Sequence, residues 1–142
     1  MTEALQLLLC HSENDRQRAE LVRAHLAPLS RGQLLFTFSV QDCAPGQHRE
    51  EAFRSAVAAA DAAVLLLSAD FFDPSQDWLW ELVAAESADN GLGLVPVILR
   101  DCAWEGDPML AGRQPLPEDG RPLFEGDTAR EDAITKVART TW

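Results

Sequence analysis

The sequence predicts a doubly wound α/β domain, in which a parallel sheet carries helices on both faces. Strand-like and helix-like segments alternate along all 142 residues. The strand-like segments are short apolar runs with little polar alternation, as in strands that are buried on both faces. Single helices separate them, and such βαβ units cross over right-handed and therefore build a parallel sheet. No repeat or linker divides the chain, so we expect one domain over residues 1–142.

The first half of the chain contains three predicted strands and two predicted helices. The strands cover Leu5–Cys10, residues 34–40 and Ala62–Leu67. Asn14 or Asp15 can cap the first helix, whose apolar side chains recur at helical spacing until Gly32 ends it. The second helix is expected over residues 50–60, where it precedes the third strand.

The second half predicts a third helix, a fourth strand and a long loop before the chain ends in another helix. Asp73 and Pro74 favour the start of the third helix as its cap and its first-turn residue. Pro96 lies inside the fourth strand, which predicts an edge or a bulge because proline cannot donate to a ladder. The remaining elements are the fourth strand at 92–99, a loop at 100–120, a short fifth strand at 123–124 and a last helix that begins with the capping pair Thr128 and Glu131.

Composition and charge exclude several classes of function. The chain carries 12 basic and 23 acidic residues and a net charge of −11. This argues against nucleic acid as a partner, because such binding depends on Lys and Arg contacts to phosphate. No apolar stretch approaches the ~18–20 residues that span a bilayer, and the start of the chain lacks the basic segment of a signal peptide. We therefore expect a cytoplasmic protein without nucleic-acid or membrane partners.

Neither the cysteines nor the histidines have the spacing of a metal site. The cysteines are widely separated and form no CxxC pair, which predicts free thiols in a reducing compartment. They are Cys10, Cys43 and Cys102. The histidines, at no zinc-ligand spacing, are His11, His25 and His48. We expect no metal.

The segment at residues 68–82, SADFFDPSQDWLWEL, is the most informative for function. It leaves the third strand, crosses a polar turn and enters a helix that carries Glu81 near its start. Open α/β sheets bind their ligands beyond the carboxyl ends of the strands, so Glu81 is a candidate catalytic carboxylate. The competing interpretation is a solvated glutamate that the helix macrodipole favours. Trp78 lies one turn earlier on the same face, where it either stacks on a ligand or packs in the core.

Polar residues also follow the first predicted strand. His11 and Ser12 stand at the edge of the expected ligand crevice, where an imidazole or a hydroxyl can hold a phosphate or a ribose. Cys10 ends the strand directly before them. A nucleophilic pair of Cys10 and His11 is disfavoured, because adjacent residues of a strand point to opposite faces.

Four segments together resemble the Toll/interleukin-1 receptor (TIR) domain family, especially its bacterial members. LLLCHSENDR is similar to the family's first strand and its polar loop, and QDCAPGQ to its D-I-x-P-G loop. VLLLSADFF followed by WLWEL is similar to the third strand and the W-x-x-E-L signature. VPVILRDCAWEGDPM and the later LPEDGRPL are similar to a bacterial Pro-containing strand, its Trp-containing loop and a P-x-D-G-x-P motif. The resemblance covers nearly the whole chain.

The resemblance implies a flavodoxin-like fold with a five-stranded parallel sheet and one of two functions. Many bacterial and plant members cleave NAD at the nicotinamide–ribose bond, and animal adaptor members mostly dock to other TIR domains. The glutamate of W-x-x-E-L is catalytic in the cleaving members, and that position is Glu81 here. By the same resemblance, the residues expected to contact NAD are Trp78, Phe38, His11, Ser12 and Cys10.

The chain departs from the family pattern in two places. Relatives often carry an aromatic residue or Arg where Cys10 stands, and Ser-His where His11 and Ser12 stand. Many bacterial relatives also have a Trp and acidic or Arg residues where residues 38–41 stand here. Both departures favour the rival interpretation, a non-catalytic module that docks to TIR domains through the loop at residues 42–46.

The leading expectation is an effector domain that cleaves NAD, as its substrate, to nicotinamide and ADP-ribose or a cyclic isomer. Following the family, activity is expected to depend on self-association with other TIR domains, and the domain to be fused to or recruited by a sensor domain. A response-regulator receiver is a more remote alternative. That fold needs an acidic cluster after the first strand and an Asp at the end of the third, where this chain has Leu67 and Ser68.

Overall fold

The computed structural model describes residues 5–31, 35–39, 46, 48–74, 77–108, 110, 112–117, 120–125 and 128–141. Four parallel strands form the sheet: β1 (Leu5–Cys10), β2 (Leu35–Ser39), β3 (Ala62–Leu67) and β4 (Gly93–Ile98). Their order is β2-β1-β3-β4, and all three neighbouring pairs are parallel. The predicted bounds of β1 and β3 are confirmed, and both strands are mostly apolar.

Helices pack on both faces of this sheet. The helices are α1 (Arg16–Arg31), α2 (Arg49–Ala59), α3 (Asp77–Asn90) and α4 (Glu131–Thr141). On one face, Leu7 and Leu9 of β1 belong to a core that also contains residues of α1 and α4. On the other face, Leu8 and Cys10 belong to a core that also contains residues of α2 and α3. Alternate side chains of one strand therefore feed two separate cores.

The predicted fifth strand differs from the structure. Phe124 lies in β5 (Phe124–Glu125), which pairs antiparallel with β6 (Thr128–Ala129) in a small separate sheet. The backbone N–H groups of Leu123 and Phe124 still donate to the carbonyls of Ile98 and Leu99 beyond the end of β4. Among the described residues, the parallel sheet thus has four strands, and the segment expected to extend it turns back on itself.

Pro96 sits in the middle of β4 without interrupting the ladder to β3. Its carbonyl accepts from the N–H of Leu116, and Val97 and Leu116 form an isolated parallel bridge. Because the N–H and C=O of a strand residue point to the same side, the donor that proline lacks would face Leu116 and not β3. The outer side of β4 tolerates this loss, as expected for proline near a sheet edge.

Two helix starts differ from the prediction, whereas α1 begins at Arg16, directly after the predicted capping residue Asp15. A 3₁₀ helix at Glu13–Asp15 precedes α1, and its cap is Ser12. Asp73 closes the 3₁₀ helix Asp70–Phe72 and α3 begins later, at Asp77. Thr128, expected to cap the last helix, lies in β6 instead. Asp73 and Thr128 both have side chains suited to a helix cap. The fold instead places Asp73 at the end of a 3₁₀ helix and Thr128 in a strand.

No helix among the described residues is long and apolar enough to cross a membrane.

Candidate functional site

The carboxyl ends of three neighbouring strands meet at one edge of the sheet. β1 leads into His11, β3 into Ser68, and β4 into Leu99 and Arg100. The strand order places the topological switch point between β1 and β3, since β1 leads outward to β2 and β3 leads outward to β4. In sheets of this type, ligands bind outside the carboxyl ends at the switch point.

A buried carboxylate, Asp15, lies at this edge with none of its side chain exposed. Oδ2 accepts a hydrogen bond of 2.5 Å from the Ser68 hydroxyl. Oδ1 accepts from Arg100 Nε at 2.7 Å and from an Arg18 guanidinium nitrogen at 3.2 Å. The other arm of Arg100 donates to Asp70 at 2.6 Å. These five residues, named here the edge network, join the segments that follow β1, β3 and β4.

The residues expected to hold NAD beyond β1 are buried. Cys10 is packed in the core that includes Phe53, and burial raises the pKa of its thiol well above the ordinary range, which disfavours the thiolate form. His11 is 1% exposed, and its Nδ1 lies 2.9 Å from the carbonyl of Ser12. Burial is the main cause that lowers the pKa of His11. The hydroxyl of Ser12 accepts from the Asn14 backbone and caps the short helix. Cys10, His11 and Ser12 are therefore buried residues that stabilise the loop after β1.

The two tryptophans of the W-x-x-E-L region have different neighbours. Trp78 is half-buried and makes an edge-to-face contact with Phe53, with ring centroids 5.5 Å apart. Trp80 contacts Phe71 edge-to-face at 5.0 Å and stacks on Phe72 at 5.9 Å. Trp78 therefore packs toward α2, whereas Trp80 packs on the short helix that leaves β3.

Glu81 is exposed and lines an open pocket of about 380 Å³ between α3 and the loop that follows β4. The described residues that line this pocket, named here the Glu81 pocket, are Asp77, Trp80, Glu81, Ala84, Asp107 and Pro108. Glu81 has no hydrogen-bond or ion-pair partner among the described residues, unlike Glu50 or Glu125, whose carboxylates bind nearby arginines. Three carboxylates and no cationic side chain are among the described lining residues, so the lining is acidic. Its charge favours a cationic group over an anionic one.

The structure therefore does not bring the predicted site residues together in one pocket. Glu81 lies in a pocket, but Trp78, Cys10, His11 and Ser12 are not among the described residues that line it. Phe38 lies in β2, but its side chain falls outside the described part of the structure, as do residues 42–45 of the loop expected to dock other domains. Sequence reasoning missed the partnership of Asp15, Ser68 and Arg100. Their position directly after strand ends was the available signal.

A second and larger cavity, of about 750 Å³, opens beside α1 on the opposite side of the sheet. Arg16 and Arg18 contribute to its lining, and the guanidinium of Arg18 stands 5.8 Å from the centre of the Phe124 ring. Arg18 also pairs with Asp15, so part of its charge is already neutralised.

Neither a metal site nor a disulfide appears in the described part of the chain. No group of three or more potential metal ligands occurs there. Cys10 and Cys102 are free thiols, and Cys43 lies outside the described residues. Burial is the main cause that raises the pKa of the Cys102 thiol to about 11.

Comparison with known proteins places the fold in one family. Residues 8–134 match the family model described as TIR domain. The chain is similar in structure to the TIR domain of the Toll-related receptor TRR-2 from Hydra magnipapillata, with a TM-score of 0.60, 20% identity, and coverage of 94% of this chain and 97% of that one. It is also similar to a chain of the RPS4 and RRS1 TIR domain heterodimer, with a TM-score of 0.57, 18% identity, and coverage of 97% and 95%. At these identities the structural likenesses show the fold alone.

The chain matches no curated protein. The family match nevertheless spans far more than half of the sequence, from within β1 into α4, and the fold agrees with it. The protein belongs to the TIR domain family.

Proposed function

We propose that this TIR domain cleaves NAD at the nicotinamide–ribose bond, with Glu81 as its catalytic residue. The observation that supports this most is the position of Glu81 within W-x-x-E-L. It is an exposed carboxylate, without a partner among the described residues, at a pocket of about 380 Å³. A carboxylate used only for structure would be expected to pair, as Asp15 does. A carboxylate used for chemistry has to remain available.

Cleavage of this bond requires stabilisation of positive charge and little else from the protein. The ribose passes through an oxocarbenium-like state, which a fixed carboxylate stabilises electrostatically, as in glycoside hydrolysis. The nicotinamide ring is cationic while bonded to the ribose and departs as a neutral molecule with the bonding electron pair, so its departure does not require a general acid. The negative lining of the Glu81 pocket suits this cationic end of NAD, and the Trp80 indole can wall the pocket beside the ring.

The buried residues at the end of β1 have a structural role in this proposal. His11 and Ser12 hold the turn between β1 and α1, and Cys10 packs beneath it. Trp78 packs on Phe53 one turn before Glu81 and sets the orientation of that face of α3. Phe38 keeps the proposed contact with a base that the family resemblance assigns to it.

The same negative charge accounts for a dependence on self-association. The acidic lining of the Glu81 pocket, which includes Asp77 and Glu81, would repel the diphosphate of NAD, so we propose that a single domain binds NAD weakly. A neighbouring TIR domain that brings donors or cations over the pocket removes this penalty. We therefore propose that activity requires assembly, driven by a fused or recruited sensor domain. The domain is proposed to span residues 1–142, to act in the bacterial cytoplasm and to need no metal.

A docking module without catalysis is the second candidate, and the acidity of the Glu81 pocket is the observation that favours it. A pocket with three carboxylates and no described cation also suits a lysine or arginine from a partner. The solved heterodimer of RPS4 and RRS1 TIR domains is an association of two such domains. In this alternative, Glu81 contributes to partner binding and to no reaction.

One substitution separates the two candidates. For an enzyme, Glu81→Ala abolishes nicotinamide release and leaves self-association unchanged, because association does not depend on the catalytic carboxylate. For a docking module, neither the wild type nor Glu81→Ala releases nicotinamide. The substitution then lowers the affinity for the partner, because the pocket has lost one carboxylate. The measurement is nicotinamide release by chromatography beside light scattering of the same samples.

A further inference from the structure

We infer that Asp15 and Arg100 are positioning residues for the Glu81 pocket and act on it through Trp80. Neither residue lines the pocket, and the W-x-x-E-L motif contains neither of them. The kinetic consequence of this inference rests on the proposed function. The structural coupling, from a buried carboxylate to an aromatic pocket wall, does not depend on any activity.

The first step is the anchoring of the segment after β3 by Asp15. A carboxylate with no exposed surface is stable only when donors surround it. The Ser68 hydroxyl, Arg100 and Arg18 provide these donors. Because the buried Asp15 carboxylate cannot form hydrogen bonds with water instead, its contacts fix the positions of Ser68 and Arg100.

The second step leads from the anchor into the 3₁₀ helix Asp70–Phe72. The oxygen of Ser68 that donates its proton to Asp15 also accepts from the backbone N–H of Phe71 at 3.2 Å. Arg100 reaches Asp70, the first residue of the same helix, at 2.6 Å. Two members of the edge network thus hold this short helix at neighbouring residues.

The third step is an aromatic contact between the short helix and α3. Phe71 and Phe72 both touch Trp80, with ring centroids 5.0 Å and 5.9 Å away. Phe71 is buried and cannot move aside freely, so it sets where the Trp80 ring lies. Trp80 directly precedes Glu81 on α3, and both line the same pocket.

The consequence is a path of direct contacts from Asp15 through Ser68, Phe71 and Trp80 to the pocket. Displacement of the Trp80 ring would shift one wall of the pocket and the adjacent carboxylate. Because the rate of a positioned reaction is sensitive to displacements of about 1 Å, such a shift lowers kcat. Weak contacts to the remainder of NAD would persist, so KM changes less than kcat.

The experiment compares three variants of the edge network with two matched controls. Arg100→Gln removes both ion pairs, Arg100→Lys keeps the charge but loses the forked geometry, and Ser68→Ala removes the hydroxyl between Asp15 and Phe71. Arg54→Gln is the control for arginine, since Arg54 makes an exposed pair with Glu50 on α2. Ser55→Ala, also exposed on α2, is the control for serine. The spectroscopic measurement is the indole N–H resonance of each tryptophan by NMR, with Trp80 assigned by Trp80→Phe.

The network variants are expected to shift the Trp80 resonance selectively, with Arg100→Lys intermediate, and the controls are expected to leave it in place. In the assembled protein, kcat for NAD should fall about tenfold in Arg100→Gln and Ser68→Ala, with a smaller change in KM. An unchanged Trp80 resonance in the folded variants would overturn the inference. An equal shift of all tryptophans would also overturn it, because this would indicate general loosening. Should Arg100→Gln fail to fold, Arg100→Lys and Ser68→Ala decide by the same criteria.

The two proposals fail in different ways. Without NAD turnover in the wild type, the proposed function fails, but the Trp80 resonance still tests the coupling. With turnover in the wild type and unchanged kcat in all three network variants, the positioning role fails and the function stands.

Discussion

Asp15 is fully buried, and the donors around its carboxylate come from distant parts of the sequence. Ser68 lies 53 residues away and Arg100 lies 85 residues away. Sequence reasoning could identify Asp15 only as a possible helix cap, since a local pattern reports nothing about partners so remote. By contrast, Glu81 was identified because its motif is local. Single residues were thus predictable where their role depends on neighbours in sequence, and not where it depends on the fold.

Loss of Arg100 should destabilise the fold more than loss of an exposed arginine. Arg100→Gln leaves the Asp15 carboxylate with fewer donors while it remains buried, at a cost of about 1–3 kcal/mol in the free energy of unfolding. Arg54→Gln, which removes an exposed pair on α2, should change it by about 0.5 kcal/mol or less. Urea denaturation of both variants checks this. Equal losses would mean that the edge network contributes no more than a surface pair.

The burial of His11 makes stability depend on pH. Because burial lowers the pKa of His11 below its usual 6.5, the unfolded chain binds a proton under mildly acidic conditions that the folded chain does not bind. Stability therefore rises with pH across this window and falls as pH drops from about 7 to about 5. In His11→Gln, which does not titrate, this part of the slope should disappear. Urea denaturation at several pH values measures it, and an unchanged slope in the variant would refute the assignment.

The elements divide in the same way between predictable and unpredictable features. β1 and β3 were predicted with their bounds because a mostly apolar run of this length has few alternatives in a buried sheet. The start of α3 was misplaced because Asp73, its expected cap, closes the short 3₁₀ helix Asp70–Phe72 instead. The pairing of β5 with β6 was missed because a two-residue strand carries no periodic signal.

The helix that carries Glu81 should owe its place mainly to Leu79, which is buried against the core that includes Phe53 and Val57. Leu79→Ala is expected to lower the free energy of unfolding by about 2–5 kcal/mol, because it leaves a cavity beneath α3. Leu82→Ala on the same helix is the control, since Leu82 is only half-buried, and it should cost clearly less. Urea denaturation compares the two. A larger loss for Leu82→Ala would contradict the described orientation of α3.

For the molecule as a whole, charge is the dominant property at the proposed site. The chain carries a net charge of −11, and three of its carboxylates line the Glu81 pocket, where the proposed function places NAD. Composition alone revealed the sign of this charge. Its concentration at one pocket became visible only when the fold brought the loop after β4 against α3.

The charge predicts an unusual dependence of the KM for NAD on salt. Added salt shortens the screening length, which is ~8 Å at physiological ionic strength, and weakens repulsion between the pocket and the diphosphate. KM for NAD should therefore fall as salt rises, at constant degree of assembly. Nicotinamide riboside is the matched control because it carries only the cationic end, and its KM should rise with salt. Parallel trends for both substrates would show that pocket charge does not govern binding.

The central claim, that Glu81 makes this TIR domain an NAD-cleaving enzyme, is tested most directly by nicotinamide release from NAD. Wild type, Glu81→Gln and Asp89→Asn would be compared at high concentration with enforced oligomerisation, after light scattering has shown equal assembly. Asp89 is an exposed acidic residue near the end of the same helix, and its substitution removes the same charge away from the pocket. Release by wild type and Asp89→Asn, with a loss of about a hundredfold or more in Glu81→Gln, is the predicted result. Equal release by all three proteins, or none from any of them despite assembly, would contradict it.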